Sequence, residues 1–256
     1  MKVVKGDQTL YNVKNKQAIY GHSIGIIMLN CLFPRIPGDI GNATTFNFPV
    51  LYKVVKDVPI QKIINERDEK YLQPFISAAR ELEKDGVKAI TTSCGFLAIF
   101  QQVLSRAVKV PFFSSSLLQV PLVYQMVGRR GKIGILTADS RLLSEDHFMA
   151  VGWSSKDIPI AIASMHQCEE FNKGLFLKGQ GPPKIDVSKI EAEAVAVVKK
   201  LIIEEPEVRA FVIECTNLPP FASAIQKEIG LLIFDIVTLA KMVHETAMRT
   251  VFTGFL

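Results

Sequence analysis

The chain has 256 residues, 48% of them hydrophobic and 21% charged, with a net charge of +5. That length accommodates one large domain or two of about 100–150 residues with real cores. The basic residues are scattered with no Lys/Arg block, so no nucleic-acid partner is expected, and no run of about 18 uncharged apolar residues offers a membrane span.

Residues 1–20 are polar and basic and read as a leader or an edge hairpin. They lack the apolar run of a secretory signal, so a cytoplasmic location is expected, and four widely spaced free thiols (Cys31, Cys94, Cys168, Cys215) fit a reducing compartment. Residues 23–29 (SIGIIML) form a continuous apolar run, the signature of a strand buried on both faces of a parallel sheet. Residues 30–61 are rich in Pro, Gly and Asn and read as irregular, and the stretch 33–50 is long enough to serve as a lid or binding loop. A helix is expected at 71–84, a strand at 87–92, a helix at 96–106, a strand at 110–114 and a helix at 117–127. The pattern then restarts with strand 132–137, helix 141–151 and strand 158–163. A polar loop at 178–184 precedes helix 188–203, strand 209–213, helix 222–229, strand 231–236 and helix 239–250. Such alternation predicts an α/β fold with parallel sheets.

The restart is an internal repeat. The stretch VKAITTSCGFLAIFQQVLSRAVKVPFFSS from Val87 aligns without a gap on VRAFVIECTNLPPFASAIQKEIGLLIFDI from Val208. Ala89 meets Ala210, Leu97 meets Leu218, Phe100 meets Phe221, and Cys94 meets Cys215. The expected architecture is two pseudo-symmetric parallel-sheet α/β domains with the active site in the cleft between them. The first spans residues 1–120, joined by the C-terminal helix at about 237–256, and the second spans 121–236. Each half places one cysteine just past the carboxyl end of a buried strand, where open parallel sheets bind ligands. There the first turn of the next helix presents free N–H groups and its positive dipole end. A thiol in that position is expected to ionise more readily than a free one. The small polar neighbours Thr91, Thr92, Ser93, Thr216 and Asn217 add hydrogen bonds without filling the site. Two facing thiols can take a proton from one face of a carbon next to a carboxylate and return one to the other.

The pair TTSCG and ECTNLPP resembles the aspartate/glutamate racemase superfamily, which includes hydantoin racemases, maleate isomerases and arylmalonate decarboxylases. The likeness runs from about Ser23 to Thr250. It implies a cofactor-independent racemase or epimerase of a small carboxylate, such as aspartate or glutamate, with Cys94 and Cys215 as catalytic acid and base. It also implies a homodimer or higher homo-oligomer. The alternatives are a maleate-type cis–trans isomerase with a nucleophilic cysteine and a non-catalytic small-acid-binding protein. Substrate-binding roles fall on Asn30, Arg35, Thr92, Ser93, Gly95, Thr137, Thr216 and Asn217. The glutamate racemases carry Asp-Ser-Gly where this chain has Met28-Leu29-Asn30, and Cys-Thr-His where it has Cys215-Thr216-Asn217. The acidic and imidazole helpers are therefore absent, and Asp39, Asp139 or Glu214 would have to meet a substrate ammonium.

Other motifs carry less. GHSIG at 21–25 matches a nucleophile elbow, but its serine leads into a strand instead of following one. Cys31 and Cys168 lack a repeat partner and read as structural. His166 with Cys168 is too little for a metal site. Ser114–Ser116 read as a helix cap, and Glu214 as either a surface group or a helper to Cys215.

Overall fold

Ile24–Leu29 (β1) is buried along its whole length, as a strand flanked by other strands and covered on both faces must be. The computed structural model in which it lies describes residues 16–56, 58–64, 66, 69–175 and 184–255. Most of the expected N-terminal leader and of the polar loop at 178–184 falls outside the described residues. In chain order, β1 is followed by β2 (Val50–Val55), α1 (Ile60–Ile64), α2 (Gln73–Lys84), β3 (Ala89–Thr92), α3 (Gln101–Arg106), β4 (Phe112–Phe113) and α4 (Val120–Met126). The second half runs β5 (Lys132–Thr137), α5 (Glu145–Ala150), β6 (Ile160–Ser164), α6 (Glu169–Leu175), α7 (Val187–Glu204), β7 (Val208–Ile213), α8 (Ala222–Ile229), β8 (Leu232–Phe234) and α9 (Ile236–Ala247).

The strands form two four-stranded sheets, ordered β2-β1-β3-β4 and β6-β5-β7-β8, with every pairing parallel. The two orders are the same once the halves are matched, so the internal repeat is a repeat of topology. β3 and β7 hold the third position of their sheets, and each ends two residues before its cysteine.

The expected elements are present with bounds shifted by a few residues, and three elements, β2, α1 and α6, were not foreseen. β2 lies in the stretch read as irregular. It is an edge strand, partly exposed along most of its length and carrying Lys53, so it shows neither a continuous apolar run nor a clean alternation. Lys53 pairs across the surface with Glu81 of α2 at 2.5 Å. α6 is a short helix whose first N–H groups, at Glu170 and Phe171, donate to the Glu193 carboxylate of α7, both at 2.9 Å. That cap comes from another element, which local sequence does not reveal. The segments after Cys94 and before α4 begin as 3-10 turns, Gly95–Phe100 and Ser116–Gln119, the second capped by Ser115.

α9 returns to the first sheet. Ile236, Val237, Leu239 and Ala240 form one apolar cluster with Ile24, Ile26 and Met28 of β1, Ala89 of β3 and Phe113 of β4. A capping box starts the helix: the Asp235 carboxylate accepts from the Thr238 N–H at 2.7 Å, and the Thr238 hydroxyl oxygen accepts from the Asp235 N–H at 2.9 Å. Asp235 also accepts at its carbonyl from Gln119 Nε2 at 2.9 Å, which ties α9 to the turn before α4. No described helix is long and apolar enough to cross a membrane. Asp235→Ala is expected to cost about 1–2 kcal/mol of stability in urea unfolding, because it removes the carboxylate that accepts from the Thr238 N–H.

Candidate active site

The two cysteine turns are held against each other. The Thr216 hydroxyl donates to the Ser93 carbonyl at 2.7 Å, joining the residue after Cys215 to the residue before Cys94. A Cβ placed on Gly95 would stand 2.2 Å from both the carbonyl oxygen and Oε1 of Glu214, a distance no side chain tolerates. Glycine at 95 is therefore what lets the Glu214 carboxyl lie beside the Cys94 turn. The Ser116 hydroxyl donates to the Ile213 carbonyl at 2.5 Å, fastening the first half to the end of β7.

Most of the small polar residues expected to meet substrate hold the backbone of these turns. Thr92 Oγ1 donates to the Ser114 carbonyl at 2.8 Å and accepts from the Cys94 N–H at 3.4 Å. Ser93 Oγ accepts from the Leu29 N–H at 2.9 Å, tying the first turn to the end of β1. Thr137 Oγ1, at the end of β5, donates to Glu214 Oε2 at 2.7 Å. Asn30 is exposed past the end of β1.

Arg35 and Asn217 do come together. The loop 33–50 crosses to the second half, where a Cβ on Gly38 (φ +99°) would lie 2.8 Å from Pro220 Cα. Arg35 Nη1 reaches Asn217 Oδ1 at 3.5 Å and pairs with Asp39 Oδ1 at 2.9 Å, and its guanidinium lies over the Phe33 ring at 4.2 Å. Burial raises the Asp39 pKa, with Arg35 acting against it. Asp139, another possible ammonium partner, is engaged by Arg141 at 2.6 Å.

The thiols do not ionise as readily as their strand-end position suggested. Cys94 and Cys215 are both buried, and both have raised pKa values. Burial is the main cause, and the Glu214 carboxyl adds to it by repulsion. The backbone N–H groups of Phe96 and Leu97 face Cys94, and that of Asn217 faces Cys215, but they only partly offset these effects. Dipolar N–H groups lower a thiol pKa where water still reaches the sulfur, and here it is largely excluded.

Glu214 is the residue the sequence left undecided. It is fully buried, and burial raises its pKa to about 7 against the hydrogen bond from Thr137. Among the described residues its Oε1 has no hydrogen-bond partner. The repeat alignment places Ser93 opposite Glu214, and that asymmetry beside otherwise matched cysteines was the signal available in the sequence.

Other groups lie apart. Ser23 Oγ is 2.6 Å from His244 Nδ1, just before β1 and beneath α9, so the GHSIG serine does not follow a strand. A cavity of about 440 Å³ is lined by Thr44, Thr45, Phe46, Asn47, Phe48, Lys241 and Glu245, none of them in the cysteine motifs. Among the described residues no group of three His, Cys, Asp or Glu side chains is placed to hold a metal ion.

Paired parallel sheets with this strand order, each ending at a cysteine turn, define a protein with the fold of the aspartate/glutamate racemase superfamily. An aspartate racemase homologue from Pyrococcus horikoshii superimposes with a TM-score of 0.55 at 18% identity, over 88% of this chain and 98% of its own. Unliganded arylmalonate decarboxylase gives 0.53 at 12% identity, over 88% and 92%. No family model matches the chain. Sequence relatives are more specific than the fold. A dimethylsulfoniopropionate lyase from Durusdinium sp. clade D is 30% identical over 220 residues, 85% of this chain and 72% of that protein. Dimethylsulfoniopropionate lyase 7 from Emiliania huxleyi is 28% identical over 238 residues, 84% of this chain and 64% of that protein. The chain belongs to the dimethylsulfoniopropionate lyase family.

This overturns the expectation of an isomerase. The racemase or epimerase of an amino acid, the maleate-type isomerase and the idle binding protein all give way, because the relatives aligned over 84–85% of this chain, at 28–30% identity, are lyases. The racemase likeness rests on fold at 12–18% identity, and a fold does not specify a reaction.

Two predictions follow from the geometry of Glu214. Gly95→Ala forces a methyl group onto the Glu214 carbonyl, so the variant is expected to lose several kcal/mol of stability or fail to fold, as read by thermal unfolding. Glu214 has a folded pKa near 7, above the ordinary value of 4.5. Its contribution to stability is therefore full below about pH 4.5 and is lost as pH rises through 7. The melting temperature of wild type relative to Glu214→Gln should fall between pH 5 and pH 8, and a constant difference would show that Glu214 ionises normally.

Proposed function

We propose that this chain is a lyase that splits dimethylsulfoniopropionate, or a closely related sulfonium propionate, into dimethyl sulfide and acrylate by β-elimination. The observation that carries the reading is the 30% identity, across 85% of the chain, to a lyase of that name. The buried thiol pair supports it chemically. The substrate has a hydrogen on the carbon next to its carboxylate and a positively charged sulfur on the following carbon. Removal of that hydrogen by a cysteine sulfur pushes electrons toward the carboxylate, as in racemisation. Here a leaving group is available. The C–H electron pair becomes the Cα=Cβ bond, the Cβ–S bond breaks, and its electrons leave on sulfur as neutral dimethyl sulfide.

The first half of the reaction is thus what the cysteine pair suggested, and the second half differs because the substrate differs. Racemisation needs a donor on the opposite face, whereas elimination needs one base. Cys94 and Cys215 are therefore expected to contribute unequally. The pair Arg35 and Asn217 supplies the donors for the substrate carboxylate, with Asp39 holding the guanidinium in place. The racemase-like fold carries with it the proposal of a homodimer or higher homo-oligomer, and light scattering on the purified protein tests it.

The purified chain should release dimethyl sulfide and acrylate in equal amounts from dimethylsulfoniopropionate, followed by gas chromatography and proton NMR. Cys94→Ala and Cys215→Ala should each fold, and the one lacking the base should lose about 10²–10⁴-fold in kcat. Full activity in both variants would remove the thiol mechanism, and no product from wild type would remove the lyase reading. Arg35→Met should raise KM more than it lowers kcat.

A further inference from the structure

An elimination leaves the enzyme with a proton that a racemisation hands back to its substrate. The lyase must pass that proton to water in every cycle, from a site in which both thiols are buried. Resting on the lyase reading, we propose that Glu214 is a positioning residue that acts through the cysteine base, taking the thiol proton during elimination and releasing it to solvent afterwards.

Three features of the site support this. The Glu214 carboxyl sits where the two cysteine turns meet, adjoining Cys215 in the chain and pressed against Gly95, the neighbour of Cys94. Its electrostatic effect is felt at both sulfurs. One of its oxygens is fixed by Thr137 at 2.7 Å, while the other is buried without a hydrogen-bond partner among the described residues, so neither thiol is bonded to it here and the transfer requires that contact to close when substrate binds. An unpaired buried carboxylate oxygen costs stability and is the natural landing place for a proton. Its pKa near 7 lets the group hold a proton in the cycle and lose it at neutral pH.

The step balances without a free thiolate accumulating in a pocket that disfavours one. The substrate Cα–H bond breaks as a new S–H bond forms on the cysteine. The cysteine's original S–H bond breaks, and its proton forms an O–H bond on Glu214. The C–H electron pair becomes the double bond, and dimethyl sulfide departs with the Cβ–S pair. Glu214 then gives its proton to water, and the enzyme returns to a thiol and a carboxylate. The titratable groups that feel Glu214 are Cys94 and Cys215; Cys31 acts on Cys94, Asp39, paired with Arg35, acts on Cys215, and the buried His147 of α5 lies edge-on to Phe96 in the Cys94 turn at 6.1 Å. Arg35 is already committed to Asp39, and the thiols are neutral over the range concerned.

The test is the pH dependence of kcat for dimethyl sulfide release by wild type, Glu214→Gln, Glu214→Asp and Thr137→Val. Wild-type kcat should rise with pH through about 7, as the carboxyl becomes able to accept a proton. Glu214→Gln should lose about 10–100-fold in kcat together with this limb, with KM little changed, and Glu214→Asp should recover part of both. Thr137→Val keeps the side-chain shape but removes the hydrogen bond that favours the carboxylate, so the limb should move to higher pH. If Glu214→Gln fails to fold, the Thr137→Val shift decides the matter. Variants that keep the wild-type profile overturn the role of Glu214 while leaving the lyase reading intact. Absence of product from wild type overturns the lyase reading, and this inference falls with it.

Discussion

The hydrogen bond from Thr216 to the Ser93 carbonyl is the contact on which the site depends. Both partners are buried, so the bond is shielded from water, and breaking it would strand polar atoms in the interior. It joins the ends of two sheets that otherwise belong to separate halves of the chain. The Gly95–Glu214 approach uses the same junction. Together they place one cysteine from each half at a single buried seam. Neither half holds a site of this kind by itself.

The seam has a chemical consequence. Excluding water raises the pKa of both thiols and of Glu214, so the ionisations are coupled through a shared scarcity of solvation. In such a pocket, moving a proton between neighbouring groups is easier than creating an isolated anion. That is also the setting in which a carbanion-like transition state gains most from nearby donors. The loop 33–50 adds the only guanidinium brought to Asn217 among the described hydrogen bonds, and it does so from the opposite half.

In the reaction proposed above, the racemase fold and the lyase relatives meet in one step. Both chemistries remove a proton from the carbon beside a carboxylate. They part afterwards, over whether a proton returns or a group leaves. The leaving group belongs to the substrate, so no motif residue at Cys94 or Cys215 records it. For that reason the cysteine motifs pointed to the fold and went astray on the reaction class.

Sequence alone determined the repeat, the parallel sheets and the strand-end placement of Cys94 and Cys215, because each follows from short-range apolar patterning and a gapless self-alignment. β1 was legible because a strand buried on both faces is apolar throughout, and β5 and β7 because they are apolar apart from Lys132 and Thr137 at the ends of the one and Arg209 near the start of the other. β2 was not, because an edge strand is free to be half polar. Tertiary structure decided what the small polar residues do. Thr92, Ser93, Thr137 and Thr216 were expected to face substrate, yet their hydroxyls hold backbone or Glu214. It also reversed the expected shift of the thiols and revealed Glu214. Burial and hydrogen-bond partners depend on residues as far apart in sequence as Gly95 and Glu214, or Arg35 and Asn217, and proximity of that kind exists only once the chain has folded.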